Sequence, residues 1–354
     1  GSEMCIRDSQ WAWELLTEVW GIDPDRLWAT VFAGDEADGL PKDEEAAALW
    51  PKVTSLPAER VLACSKKDNF WEMGETGPCG PCSEIYYDFG EGVGCGKASC
   101  APGCDCGRFS EIWNLVFTQY NQDREGKRTP LPKPNIDTGM GLERTAAAVQ
   151  GKTSVYETDL FIPLVERIAG LAGRKYGADE DTDRAMRILA EHGRGIAFLI
   201  ADGVIPSNEG AGYVLRRLLR RAALFSRRLG EGKPFLVEVA KTTIAQMGHI
   251  YPEVVQRQDF IIKLIEQEEA RFSETLSTGL ELLDGIMEEA AGKGKNRVSG
   301  KQAFKLYDTY GFPVELTAEI ARRQGLAVDM EGFEREMEKQ RERARDAQKF
   351  ESAL

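Results

Sequence analysis

Between Asn135 and Val149 the chain reads NIDTGMGLERTAAAV. Asp137 brings a carboxylate, and Gly139 and Gly141 lack the side chains that would hold a ligand away from the backbone. Leu142-Glu143-Arg144 then leads into an alanine-rich run of strong helix formers. Such a string can cradle a small ligand, or it can be a plain strand-to-helix turn. A second group able to do chemistry is Cys95, Cys100, Cys104 and Cys106, four thiols within twelve positions among glycines and a proline. Thiolates so spaced can converge on one tetrahedral zinc ion, and a loop too short to bury a core would draw its order from that ligation. Disulfides and an oxidation-prone loop are the alternatives. Cys79 and Cys82 form a Cys-x-x-Cys pair, a pattern of redox centres and of half zinc sites. The Gly-Pro steps at Gly77-Pro78 and Gly80-Pro81 favour a rigid turn instead.

Tyr213–Leu229, YVLRRLLRRAALFSRRL, carries six arginines with no carboxylate between them. At about 100° per residue, Arg216, Arg217, Arg220, Arg221, Arg227 and Arg228 fall within roughly 140° of a helix circumference. Leu215, Leu218, Leu219, Ala222, Phe225 and Leu229 cover most of the rest, with Leu224 the exception. A solvated face bridged to nearby acids is one reading. In an acidic protein a phosphate-facing surface is the stronger one. His192 is the kind of isolated histidine that packs or caps, and it is assigned no role.

These groups sit in a chain of 354 residues, 42% apolar and 29% charged, which allows two or three domains with ample cores. The net charge of −13 argues against indiscriminate coating of nucleic acid, while a local basic site remains compatible with it. No apolar run reaches membrane-spanning length. Tightly clustered cysteines and the lack of a convincing signal peptide point to the reducing cytoplasm.

The elements that must position the groups follow in order. Gly1–Ser9 reads unlike the rest, as a foreign or artefactual extension, and is set aside. Gln10–Phe32 reads as an apolar helix, a turn at Asp23-Pro24 and a strand. Gly34–Pro57 reads as a peripheral acidic insertion. Ser110–Asn121 is a strand by its β-branched and aromatic content, and Asp123–Pro134 a charged loop delivering the chain to Asp137. On that strand Asn114 and Val116 share a face; Glu111 falls on the other unless a bulge or strong twist intervenes. After Gly151 the pattern turns helical over Glu157–Leu171, Asp183–Asp202, the arginine helix, Gln258–Glu289 and Asp329–Ala353.

The string DTGMGLER, a glycine–apolar–glycine alternation closed by Glu-Arg, closely resembles the third signature motif of class II aminoacyl-tRNA synthetases, in the form alanyl-tRNA synthetases use. The Asn69–Glu84 string NFW–MG–TGPCGPC–E, Asn208 in the loop GVIPSNEGAG, and AFKLYDTYGFPVELT at Ala303–Thr317 match the same family. The resemblance runs from Gln10 to about Gln348. It implies an α+β fold: a class II antiparallel sheet with flanking helices, incomplete, then a mainly helical tRNA-recognition region. The expected division is 10–150 for adenylation and 151–354 for recognition of the acceptor stem.

By the same resemblance Arg144 and Glu111 are the catalytic residues. Arg144, Gly139 and Gly141 meet ATP, whose magnesium Glu111 helps to hold. Asp137 meets the amino group of alanine, Gly139 belongs to the same alanine site, Trp71 and Val116 wall the pocket, and Asn114 contacts the amino acid. Asn208 and Asp308 read a G–U pair in the acceptor stem of tRNA for alanine, while Arg216, Arg217, Arg220 and Arg221 face its backbone. Some bacterial members carry a similar cysteine-rich insertion, which makes the zinc structural. Motif 1 and nearly all of motif 2 have no counterpart here, and with only His192 and His249 the His-x-x-x-His editing motif cannot form. The expectation is therefore a core of a bacterial-type enzyme, inactive on its own. A catalytically inactive acceptor-stem binder is the alternative.

Overall fold

Leu27, Ala29 and Val31 alternate with Trp28, Thr30 and Phe32, and the segment forms a strand packed on both faces, β1 (Leu27–Phe32). In the computed structural model, which describes the backbone of residues 2–230 and 234–351 and the side chains of 7–230 and 234–340, this strand lies inside a six-stranded sheet. The chain enters through α1 (Ser2–Glu14), so the stretch expected to be foreign continues the first helix, and Ser9 is buried. After β1 come α2 (Glu44–Val53), β2 (Val61–Cys64), the short α3 (Lys66–Asn69), β3 (Phe70–Glu72), β4 (Gly77–Asp88), β5 (Phe109–Gln122), β6 (Arg128–Met140) and α4 (Leu142–Val149). The strand order is β2-β1-β4-β5-β6, with β3 pairing on β4.

Four of the five pairings are antiparallel, as expected; β1 and β2 run parallel. A parallel pair needs a crossover connection, and the supposedly peripheral insertion supplies it. Ala46, Leu49 and Trp50 of α2 make an apolar stripe at helical spacing, all buried. Trp50 packs edge-on against Trp13 and donates from Nε1 to Ser83 Oγ at 2.8 Å. One side of the sheet thus joins α1 and α2 in a core with Leu27, Ala29, Ile85, Ile112, Leu115 and Phe117. The opposite side carries the polar groups described below.

The expected charged loop is also shorter than its composition suggested. Asp123 Oδ1 accepts from the backbone of Glu125 and Lys127, both at 2.9 Å, which closes a tight turn and lets β6 start at Arg128. Pro130, Pro132 and Pro134 lie on the end strand, where β5 and β6 slip register between Thr118 and Tyr120 and a missing N–H is tolerated.

The chain divides into two compact units between Ile162 and Pro163, twelve residues beyond the expected 150. Residues after α4 stay with the first unit: the Gln150 side chain donates to Asp159 Oδ1 at 2.7 Å and accepts from the Asp159 backbone at 3.1 Å. The second unit is helical: α5 (Ile162–Ala172), α6 (Glu180–Ala201), α7 (Gly210–Leu229), α8 (Leu236–Met247), α9 (Pro252–Gln256), α10 (Gln258–Gly292), α11 (Gly300–Tyr310), α12 (Val314–Arg323) and α13 (Met330–Glu351). Two short strands, β7 (Arg297–Val298) and β8 (Ala327–Val328), pair in parallel around α11 and α12. One apolar cluster of this unit joins α10 (Phe272, Leu276, Leu283) to Phe312 and Leu316, and takes in Leu224 of the arginine helix. The one residue that broke the arginine arc in the helical projection is therefore a core residue.

Candidate active site and arginine face

The register of β4, β5 and β6 builds the first site. Ile85 pairs with Trp113 and Tyr86 with Glu111, so Ile112 is an extra residue on β5. This bulge turns Ile112 into the core and brings Glu111 to the face that carries Asn114 and Val116, which strict alternation forbids. The carbonyl of the bulged residue is put to use. Ile112 O accepts from Gly141 N at 3.0 Å and from Thr145 Oγ1 at 3.4 Å, anchoring the start of α4. Arg144, in the first turn of that helix, donates to Glu111 Oε2 at 3.2 Å and to Glu111 O at 3.1 Å.

Across the next pair of strands Asn114 lies opposite Gly139, and Val116 opposite Asp137. The two residues of β5 expected to contact the ligand are thus cross-strand neighbours of the two expected on the signature string. Gly139 has no backbone reason to be glycine: a Cβ there would meet nothing within 4 Å. Trp71 enters the sheet through β3, half-buried and opposite Gly80, and reaches this face only by way of β4.

Sequence reasoning missed the centre of the face. Glu84 of β4 pairs with both Thr30 and Asn114, and it is buried. Its carboxylate accepts from Tyr86 Oη at 2.9 Å, Thr30 Oγ1 at 3.3 Å and Asn114 Nδ2 at 3.4 Å. Burial first, and the neighbouring Glu111 charge second, push its pKa up to about 7. A lone carboxylate inside the apolar run CSEIYY was the available signal.

Cys79 and Cys82, by contrast, are buried structural thiols of β4. Burial and the Glu84 charge push Cys82 up to about 12, far from a reactive thiolate.

The four remaining cysteines of interest lie in the β4–β5 connection, closed at its base by a bidentate Arg108–Asp88 pair with both bonds at 2.8 Å. Their Sγ atoms all lie within 4.8 Å of one another, with Cys95–Cys104 at 3.9 Å and Cys100–Cys106 at 3.5 Å. Tetrahedral zinc with its usual bond lengths sets sulfur atoms ~3.8 Å apart. The donor set is compatible with that ion, the widest-spaced sulfurs closing by about 1 Å around it. The Arg108 backbone N–H draws the Cys106 thiol down to about 6, toward the ligating form.

On α7 of the second unit the arginines are not left for a ligand alone. Arg221 donates to Glu319 Oε2 at 2.8 Å, and Arg217 to Glu315 Oε1 at 3.0 Å. Arg216 and Arg220 both lie 3.8 Å from Glu268 Oε2, a carboxylate 3% exposed. The absence of acids from the helix itself is made good by α10 and α12, so four of the six arginines are bridged within the unit, and a phosphate on this face would have to share them with these acids. His192 accepts at Nε2 from Arg221 at 2.7 Å; burial first, and Arg221 second, hold its pKa down at about 4.

The same unit brings Asn208 and Asp308 to one cavity of about 480 Å³, with Tyr213, Arg216, Arg220 and Tyr307 among its lining. Asn208 Oδ1 accepts from Arg216, and Asp308 Oδ1 accepts from Gln340 Nε2 at 2.5 Å. Gly311, at φ 66°, ends α11 in the left-handed conformation, and its carbonyl accepts from Arg220.

Residues 7–354 match the family model of class II (A) tRNA synthetases, and the chain belongs to that family. Within it, the alanine–tRNA ligase of Dehalococcoides mccartyi is 58% identical over 341 residues, 96% of this chain and 38% of the relative. Those of Pelotomaculum thermopropionicum and Thermoanaerobacter sp. are 51% and 48% identical, over 95% and 97% of this chain. The chain spans somewhat under two fifths of the length of these curated relatives. None of its described helices is long and apolar enough to cross a membrane.

Proposed function

We propose that this chain is the core of an alanine–tRNA ligase, which activates alanine with ATP and transfers it to the 3′ end of its tRNA. The observation that carries the reading is the cross-strand register. Asn114 beside Gly139 and Val116 beside Asp137, with Glu111 bulged onto the same face next to Arg144, gather amino-acid and nucleotide groups into one patch. The ammonium of alanine binds Asp137, its methyl group meets Val116 and Trp71, and Asn114 contacts the amino acid. Arg144, at the positive end of α4, meets the ATP phosphates. Glu111 offers the hard oxygen ligand that magnesium takes, and the ion neutralises phosphate charge when bound.

Neither step needs a protein nucleophile. An alanine carboxylate oxygen attacks the α-phosphorus as the bond to pyrophosphate breaks; a tRNA ribose hydroxyl then attacks the acyl carbon and AMP leaves. Catalysis is positioning plus charge stabilisation. In the second unit Asn208 and Asp308, sharing a cavity, read the G–U pair, with the α7 arginines along the phosphates. The cysteine loop holds a structural zinc, and the reducing cytoplasm suits the seven described cysteines, all free.

The test is exchange of labelled pyrophosphate into ATP by the protein carrying this chain. Exchange should require alanine and fall steeply with Asp137→Ala. Equal exchange with an unrelated large amino acid would refute the substrate assignment. For the second unit, Asn208→Ala should erase preference for a G–U over a G–C pair in the acceptor stem.

A further inference from the structure

The Glu84 network runs in one direction. Asn69 Nδ2 donates to Thr30 Oγ1 at 2.9 Å and to Cys82 O at 3.0 Å, which leaves the Thr30 hydroxyl proton to go to Glu84. Tyr86 and Asn114 donate to the same carboxylate. A carboxylate with three donors aimed at it is an acceptor, so only the NH₂ end of Asn114 can face it. The other end of the amide, Asn114 Oδ1, is buried and has no hydrogen-bond partner.

A buried acceptor without a donor is unfavourable and calls for an explanation. The register supplies one: Asn114 lies opposite Gly139, and the next same-face pair carries Asp137. An orphaned carbonyl oxygen beside a carboxylate suits a cation with several hydrogens to donate, such as an ammonium group. Resting on the alanine-activation reading above, we infer that Glu84 is a positioning residue: it fixes the Asn114 amide so that Oδ1, not NH₂, meets the ammonium of the amino acid. Glu84 itself never touches the substrate. Were the amide to flip, two N–H groups would face the ammonium and repel it.

Kinetics of alanine-dependent pyrophosphate exchange test this. Glu84→Gln replaces the pure acceptor by a group that accepts either amide orientation. The KM for alanine should rise about tenfold, the cost of one hydrogen bond to a charged group, while the KM for ATP stays within twofold. The double variant Glu84→Gln/Asn114→Asp inverts the pair: the glutamine donates, and the aspartate keeps an oxygen toward the ligand. It should recover most of the lost affinity, whereas Asn114→Asp alone sets two carboxylates against each other and should be worse than either. A merely structural Glu84 would not yield rescue by such a swap. An alanine KM within twofold of wild type in Glu84→Gln, or a double variant no better than both singles, overturns the inference.

A measurement on the unaltered protein guards against variants that do not fold. Protonating Glu84 gives it a hydrogen to donate and releases the amide, so the alanine KM should climb as pH falls from 8 through about 7, with the ATP KM flat. The groups facing Glu84 are Tyr86 and Cys82 on β4, Glu111 on β5, Cys64 on β2 and Asp68 on α3, none of them cationic. Of these, burial and the Glu84 charge keep Tyr86, Cys82 and Cys64 protonated across this range. A flat alanine KM overturns the inference. Failure of the unaltered protein to exchange pyrophosphate with alanine at all would instead bring down the functional reading, and this one with it.

Discussion

The sheet face and the arginine helix present charge to a ligand in opposite ways. On the sheet, Asp137 is exposed on the end strand, Arg144 is held only by a half-exposed pair with Glu111, and Asn114 Oδ1 has no partner. On α7, Arg216, Arg217, Arg220 and Arg221 are each already matched to a carboxylate of α10 or α12. A small ligand at the sheet completes bonds the protein leaves unmade. A phosphate at the helix must instead compete with Glu268, Glu315 or Glu319. The Arg217–Glu315 pair, with side chains 36% and 42% exposed, can exchange partners in water; Arg216 and Arg220 around buried Glu268 cannot do so cheaply. On the proposed function, one region keeps its polar groups for a ligand, while the other spends them first on its own fold.

The sharpest test removes Arg144. Losing one preorganised charge contact to reacting phosphates typically costs on the order of 10²–10³ in rate. Arg144→Ala should show that loss in pyrophosphate exchange with an almost unchanged denaturation midpoint, since exposed ion pairs contribute little to stability. The counterpart in the helical unit is Glu268→Gln, expected to cost on the order of 2 kcal/mol in urea denaturation because two half-buried guanidinium groups lose their counter-charge and keep only neutral acceptors. If Arg144→Ala unfolds the protein, or Glu268→Gln leaves stability untouched, the contrast between the two regions collapses.

The cysteine loop sharpens the same contrast, as a site complete in itself. Protein purified without chelator should carry about one zinc per chain, and Cys100→Ser/Cys104→Ser should carry none. Four thiolates leave no open coordination position, so metal loss should change exchange rates by less than about threefold. Freshly reduced protein devoid of metal would refute the assignment.

How much of this was legible depended on range along the chain. The β5 face could be read from alternation, and the demand that Glu111 share it named a bulge in advance; the structure has one, at Ile112. Ala46, Leu49 and Trp50 carried a readable stripe, but the acids around them made Gly34–Pro57 look peripheral. Three prolines similarly disguised the first half of β6, because strand propensity does not know which strand lies at the end of a sheet. The partners of the α7 arginines could not be read at all. Arg217 and Glu315 are 98 positions apart, as are Arg221 and Glu319, and only the packing of α10 and α12 brings such acids close. Glu84 was visible as a carboxylate in an apolar strand, yet its meaning came from Thr30, Tyr86 and Asn114 converging on it.

The smallest effect concerns pH, and it separates Glu84 of the sheet from His192 of the helical unit by sign. Glu84 binds its proton more tightly folded than unfolded, its pKa being raised from 4.5 to about 7. Its contribution to stability is therefore complete below 4.5 and is lost as pH rises through 7. His192 is the reverse case, lowered from 6.5 to about 4 because burial and the adjacent Arg221 keep the ring neutral. The unfolded chain takes up that proton first, so its contribution is complete above 6.5 and is lost as pH falls toward 4. Buried Glu269, raised to about 7, works against His192 within the helical unit, and the two largely cancel in the unaltered protein. Single variants uncover each term. Relative to wild type, Glu84→Gln should gain stability between pH 5 and pH 7.5, whereas His192→Gln should lose it over the same interval. Denaturation midpoints at the two pH values give both differences, and differences of equal sign would show that these groups do not titrate as their surroundings dictate.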